Sequence, residues 1–267
     1  MFKRLATKGY DCENFEQKRD AAVDYIEGLL KEKAIVFPDI SPNYACIKRD
    51  KISDDKYGEG ANKYAFFDVI PGYVIKINRR FEDFIPIVRE AYIYNKAVEE
   101  GLNQYFARTY YMGTIDNIAI TIQEYVEVDS DFNDDISYDR FSRFIDEEDL
   151  KVQYEAYRTE NEKRGRYVES FEDYRYEAID EIKCDQENII EAFIEDNWLA
   201  VNNFLNDYKV DDIHYANFGF RDTSDLDTFV IIDFSGFHDD YWEDYVKDFS
   251  NEEYAEDLER IYREDKE

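Results

Sequence analysis

The sequence is poor in the residues that punctuate or cross-link a chain. Its 267 residues include 3 cysteines, 4 prolines, 10 glycines and 2 histidines. Cys12, Cys46 and Cys184 are widely spaced and odd in number, with no CxxC pair. That argues against a disulfide framework and a zinc cluster, and it fits a reducing compartment. His214 and His238 alone cannot build a zinc site without cysteine nearby. Long apolar runs are also missing, and no stretch approaches the roughly 18 residues that span a bilayer. The start, Met1-Phe2-Lys3-Arg4, is basic without an apolar run behind it. The expectation is therefore no secretory leader, no membrane anchor and a cytoplasmic location. Positive charge is scarce: 33 basic against 64 acidic residues leave a net charge of −31. Such a surface repels nucleic acid and anionic lipid, so direct binding of either is not expected, whereas basic protein partners suit it.

What is abundant is aromatic. Phe, Trp and Tyr make up 17% of the chain and hydrophobic residues 44%, so this is a folded protein and not an acidic disordered one. Residues 14–33 carry Ala22, Tyr25, Ile26, Leu29 and Leu30 at helical spacing, and Pro38 and Pro42 end that helix. Tyr64–Val69 and Tyr73–Ile77 read as strands around a Pro71-Gly72 turn. Residues 83–100 read as a helix closed by Gly101, followed by strands Phe106–Met112 and Ile118–Val128. The acidic, Tyr- and Arg-rich stretch 129–187 predicts helices with solvated faces. Residues 187–207 predict one long buried helix. A polar loop (208–217), short strands Phe218–Phe220 and Phe229–Ile232, and an acidic helical tail follow. This order predicts an α+β protein of two lobes joined near residue 127. Its parts are an N-terminal helical extension (1–45), a strand-rich lobe (46–127) and a mostly helical lobe (128–267) that contains the acidic insertion 129–187.

One constellation points to chemistry. Asp212-Ile213-His214-Tyr215-Ala216-Asn217 follows the buried helix and precedes a hairpin that leads into Asp233. An Asp against an acceptor hydroxyl can take or steer its proton. Asn217 and Asp233 can bind magnesium, which is satisfied by one or two carboxylates plus phosphate oxygens. Asp212 and Asn217 also suit a plain turn, but the apolar flanks and the upstream Lys and Glu favour the chemical reading. Lys76 lies in the apolar run Val74-Ile75-Lys76-Ile77 and is costly to bury unless neutralised. Glu90, on the inward face of the next helix, is its expected partner. Gly58-Glu59-Gly60 precedes a strand, where glycines let backbone N–H groups approach phosphate; an ordinary hairpin turn has the same composition. His214 reads as a packing residue hydrogen-bonded within its loop. No GxSxG motif is present, and no pattern makes Ser235 a nucleophile.

These residues resemble protein kinases, most closely the compact serine/threonine kinases of bacteriophages. Gly58-Glu59-Gly60-Ala61-Asn62-Lys63 resembles a degenerate glycine-rich loop with Lys63 in place of the third glycine. Val74-Ile75-Lys76-Ile77 is similar to the phosphate-lysine strand and Arg89-Glu90-Ala91 to its partner helix. Gln123-Glu124-Tyr125-Val126 is similar to the adenine hinge, with Glu124 and Val126 as its backbone contacts. Val210-Asp211-Asp212 stands for His-Arg-Asp and Ile232-Asp233-Phe234-Ser235 for Asp-Phe-Gly. The resemblance spans residues 56–236. It implies a two-lobed fold with an antiparallel N-lobe sheet, ATP and Mg2+ as cofactors, and a protein substrate in the host. Asp211 replaces an arginine used in phospho-regulation. With 34 residues after Asp233 and no Ala-Pro-Glu, a reduced C-lobe is implied. Two alternatives share the composition. One is a small-molecule kinase for a cationic acceptor such as an aminoglycoside or choline. The other is a non-catalytic acidic module that mimics DNA or captures a basic host protein.

Overall fold

The computed structural model describes residues 3–5, 11–37, 44–80, 83–115, 118–128, 140–182, 185–211, 213–214, 216–236 and 251–262. Asp212, Tyr215, Cys184, His238, Pro38, Pro42 and residues 129–139 lie outside them. The protein is α+β, and its described residues form two compact units. The first comprises Met1–Val126 and Ile232–Glu267; the second is Glu127–Ile231. The division is therefore made in space. The tail that sequence order assigns to the helical lobe clusters with the strand-rich unit, and so does the N-terminal helix.

The first unit is built on a six-stranded antiparallel sheet. Its strands are β1 (Lys3–Arg4), β4 (Tyr57–Glu59), β5 (Lys63–Ile70), β6 (Tyr73–Asn78), β7 (Thr109–Ile115) and β8 (Ile118–Glu124), in the order β1-β7-β8-β6-β5-β4. A separate two-stranded piece pairs β2 (Ile35–Val36) with β3 (Cys46–Ile47). β6 is central and buried on both faces, which explains why Val74, Ile75 and Ile77 do not alternate with polar residues and why Lys76 among them is buried. The β5–β6 connection is the expected Pro71-Gly72 turn, with Gly72 at φ +76°, where a Cβ would be strained. A bulge between Phe66 and Ile70 precedes it.

Helix α1 (Phe15–Lys31) buries Phe15, Ala22, Val23, Ile26 and Leu29. Phe15 meets Tyr110 of β7 edge-on at 6.4 Å, and Tyr25 meets Phe66 of β5 at 5.7 Å. What reads as an N-terminal extension is thus a layer of the first unit. Helix α2 (Ile85–Glu100) opens with Pro in its first turn and closes at Gly101 in the left-handed conformation. Its buried set includes Ile87, Glu90, Ala91 and Tyr94, one face at helical spacing.

In the second unit, α3 (Glu147–Lys163) and α4 (Phe171–Ile182) form a hairpin. Asp146 caps α3 by accepting from the N–H groups of Glu148 and Asp149. Tyr154, Tyr157, Phe171 and Tyr174 join the two helices with ring centroids 5.1–6.3 Å apart. The predicted helix over 187–207 is two helices, α5 (Gln186–Phe193) and α6 (Trp198–Asp207). Glu195-Asp196-Asn197 interrupts it, because short polar side chains favour turns and two adjacent acids offset no local charge. Phe193 is the hub of this unit's core. It stacks on Phe229 at 5.1 Å and 4° and touches Phe218 and Phe220. Those rings come from the hairpin of β9 (Phe218–Phe220) and β10 (Phe229–Ile231).

The last described element, α7 (Asn251–Tyr262), returns to the first unit. Tyr254 meets Tyr92 of α2 at 5.1 Å, and the Tyr262 hydroxyl accepts from Asn95 Nδ2 at 3.0 Å. Among the described residues no helix is long and apolar enough to cross a membrane.

Candidate functional site

Four buried or half-buried charges meet on one face of the first unit's sheet. In the β5–β6 register, Ala65 faces Lys76 and Lys63 faces Asn78. Side chains alternate along a strand, so Lys63 and Lys76 emerge on the same face as diagonal neighbours. Both reach Glu90 of α2, which is fully buried. Glu90 Oε1 accepts from Lys63 Nζ at 2.5 Å and from Lys76 Nζ at 3.2 Å, and Oε2 accepts from Lys76 at 3.0 Å. Lys63 also donates to Asp233 Oδ1 and to Ser235 Oγ, each at 2.7 Å. Lys76 donates its remaining proton to the carbonyl of Ile232 at 3.3 Å. Two ammonium groups and two carboxylates thus form an electroneutral cluster with each ammonium making three hydrogen bonds.

The electrostatics follow from this geometry. Burial alone would push Lys63 down, but Asp233 and Glu90 outweigh it and hold the ammonium above its ordinary value. Lys76 lies below its ordinary value: burial dominates, and the pull of Glu90 is opposed by Lys63. Burial raises Glu90 in spite of both lysines. Burial also opposes ionisation of Asp233, but Lys63 and Lys76 hold its carboxyl well below the usual carboxylate range. The Asp233 side chain keeps 39% of its surface exposed, against 0% for Glu90. Asp233 is therefore the most exposed member of the cluster.

Sequence reasoning anticipated Lys76, Glu90 and Asp233, and the structure brings them together in one unit. It does not reveal Lys63, which the resemblance sets in a glycine's place. The available signal is a second lysine immediately before the aromatic β run that starts at Tyr64. Arg89 and Ser235 were missed as well. Arg89, 1% exposed, donates to the carbonyls of Ser235 and Gly236, each at 2.9 Å, and so fixes the chain just beyond Asp233. Phe234 is buried edge-on against Phe106 at 5.3 Å.

The other expected residues have local surroundings of their own. Gly58 lies in β4 opposite Ala65. A Cβ there would meet the Phe67 ring at 3.3 Å, so close packing explains this glycine. Gly60 donates its N–H to the carbonyl of Lys63 at 2.9 Å. Residues 60–63 thus form a tight turn in which the Gly60 amide is engaged. Glu124 ends β8; its N–H donates to the carbonyl of Arg108 at 2.8 Å, and Val126 is buried.

Asn217 belongs to the second unit and donates its backbone N–H to the His214 carbonyl at 2.8 Å. His214 Nδ1 accepts from Ala216 N–H at 3.2 Å, the local role expected of it. Asp212 lies outside the described residues, but its flanks are pinned. Gln186, the first residue of α5, donates to the Val210 carbonyl at 3.0 Å and accepts from Ile213 N–H at 3.2 Å.

The Asp233 carboxylate is an oxygen donor of the kind that a hard ion such as Mg2+ prefers. No group of three or more His, Cys, Asp or Glu forms a metal cage among the described residues. Compared with protein-family models, curated proteins and solved structures, the chain gives no match.

Proposed function

We propose that this chain is an ATP-dependent phosphotransferase of protein-kinase-like, two-lobed architecture, transferring phosphate to a protein Ser or Thr. The observation that carries the reading is the buried Lys76–Glu90 pair joined through Lys63 to Asp233. A structural ion pair needs one acid and one base. Here a second lysine and a half-exposed Asp are added at high desolvation cost, and perturbed, partnered charges of this kind concentrate at functional sites.

ATP would supply the phosphoryl group, and Mg2+ would neutralise charge on its phosphates. In this reading the chain's residues divide the remaining work. Glu90 fixes Lys76 so that its cation faces phosphate oxygens. Asp233 offers the metal carboxylate, held in place because Arg89 anchors the two carbonyls beyond it. Asn217 keeps the metal-ligand role that the resemblance implies. Asp212 takes the acceptor hydroxyl's proton as its oxygen bonds to phosphorus and the bond to ADP breaks. Gly60 contributes no free amide, so phosphate binding falls chiefly to the lysines. Glu124 and Val126 keep the adenine role that the resemblance implies.

The test is phosphate transfer from radiolabelled ATP with Mg2+, offered to the chain itself, to a basic protein mixture and to aminoglycoside and choline acceptors. Asp233→Ala should lower transfer by about 100-fold or more, the scale of losing a group that stabilises transition-state charge. Full transfer by Asp233→Ala would sink the reading. Label on the small molecules alone would replace the protein acceptor with a cationic metabolite.

A further inference from the structure

Glu90 is served twice and Asp233 once. Both oxygens of Glu90 accept from Lys76, and Lys63 adds a further bond to Oε1. If Lys63 moved away, Glu90 would keep a cationic partner on each oxygen. Asp233 would lose the ammonium that donates to it at 2.7 Å and keep the Ser235 hydroxyl at 3.2 Å. The position of Lys63 permits such a move. It is the first residue of β5 and directly follows the exposed residues 60–62. Lys63 is buried, so such a move means leaving the cluster along its flexible four-carbon stem, while its backbone stays paired with Asn78. Asp233, with 39% of its side chain exposed, is open to a second cation from solvent.

We propose that Lys63 is a built-in counter-cation to Asp233, and that Asp233 takes a divalent ion only by exchanging Lys63 for it. The inference rests on the reading of Asp233 as a metal ligand and adds a residue that sets the affinity. Lys63 is a positioning residue in this scheme. Its release frees Asp233 and leaves a mobile ammonium beside Lys76, where two cations suit a polyphosphate better than one. The three bonds of Lys63 within the cluster set the resistance to exchange. Removing its charge should therefore tighten ion binding by about tenfold or more, the weight of one hydrogen bond to a charged group.

The probe is Mn2+ alone, titrated into the full chain at moderate salt. The readout is paramagnetic broadening of the Phe234 and Ser235 backbone amide signals, which isolates this position from the many surface carboxylates. Lys63→Gln should lower the half-broadening concentration about tenfold against wild type. Lys63→Arg keeps the cation and can grip a carboxylate through two N–H groups, so it should raise that concentration or leave it unchanged. Asp233→Asn should abolish the local broadening. Broadening that needs Asp233 but is unchanged or weakened in Lys63→Gln would overturn the exchange and leave the phosphotransferase reading standing. Broadening that survives Asp233→Asn would overturn both. If Lys63→Gln fails to fold, Lys63→Arg decides: tighter Mn2+ binding by that variant refutes the competition.

Discussion

At the residue scale the cluster is organised by Glu90. It is the only fully buried acid of the four charges, and both lysines converge on it. Glu90→Gln keeps the shape but removes the charge that makes the arrangement electroneutral. Lys76 would then lie buried with no carboxylate bonded to it. Breaking a buried ion pair from one side costs about 3–5 kcal/mol, because the stranded charge remains desolvated. Urea unfolding of the Glu90→Gln variant should show that loss, and a change below about 1 kcal/mol would mean that water reaches the cluster freely. The sequence displayed Lys76 and Glu90 because a lysine in an apolar strand demands a partner. It hid Lys63, whose burial depends on register with β6 and not on its own neighbours. It hid Arg89 too, since an arginine beside a glutamate on a helix usually reads as a solvated pair.

Elements account for how the loop before β9 is held. Gln186 starts α5, and Asp185 caps that helix by accepting from Asn188 N–H at 3.0 Å. With α5 so fixed, the Gln186 amide bridges Val210 and Ile213 across 24 and 27 residues of sequence. Gln186→Ala should leave α5 intact and free the Ile213 N–H. Amide hydrogen exchange at Ile213 should then accelerate by about tenfold, the equivalent of one lost hydrogen bond, while Val201 and Leu205 in α6 keep their protection. Equal acceleration throughout α6 would show that Gln186 supports the helix packing instead. Strands and helices with strong periodicity were legible, as β5, β6, α1 and α2 illustrate. The break between α5 and α6 was not. Phe193 and Leu199 flank it with apolar bulk, which masks the turn signal of Glu195-Asp196-Asn197. β2 and β3, two residues each, lie below the length at which alternation carries a signal.

For the whole molecule, the return of α7 to the first unit was illegible because its acidic composition describes only its solvent side. Tyr254, Leu258 and Tyr262 are nonetheless buried. The same acidity sets the balance of charge. A net charge of −31 opposes compaction through self-repulsion, and that repulsion acts largely through solvent between exposed groups. Raising ionic strength from about 0.01 M to about 0.1 M shortens the screening length from about 30 Å to about 10 Å, which weakens repulsion between distant carboxylates most. The Lys63, Lys76, Glu90 and Asp233 contacts are short and largely desolvated, so salt affects them little. The thermal midpoint should therefore rise by a few degrees over that range, about 1 kcal/mol for a chain of this size. The increment should be the same in Glu90→Gln, because the two contributions are spatially separate. A midpoint that falls with salt would mean that surface ion pairs such as Arg164–Glu160, at 2.6 Å, outweigh the net repulsion.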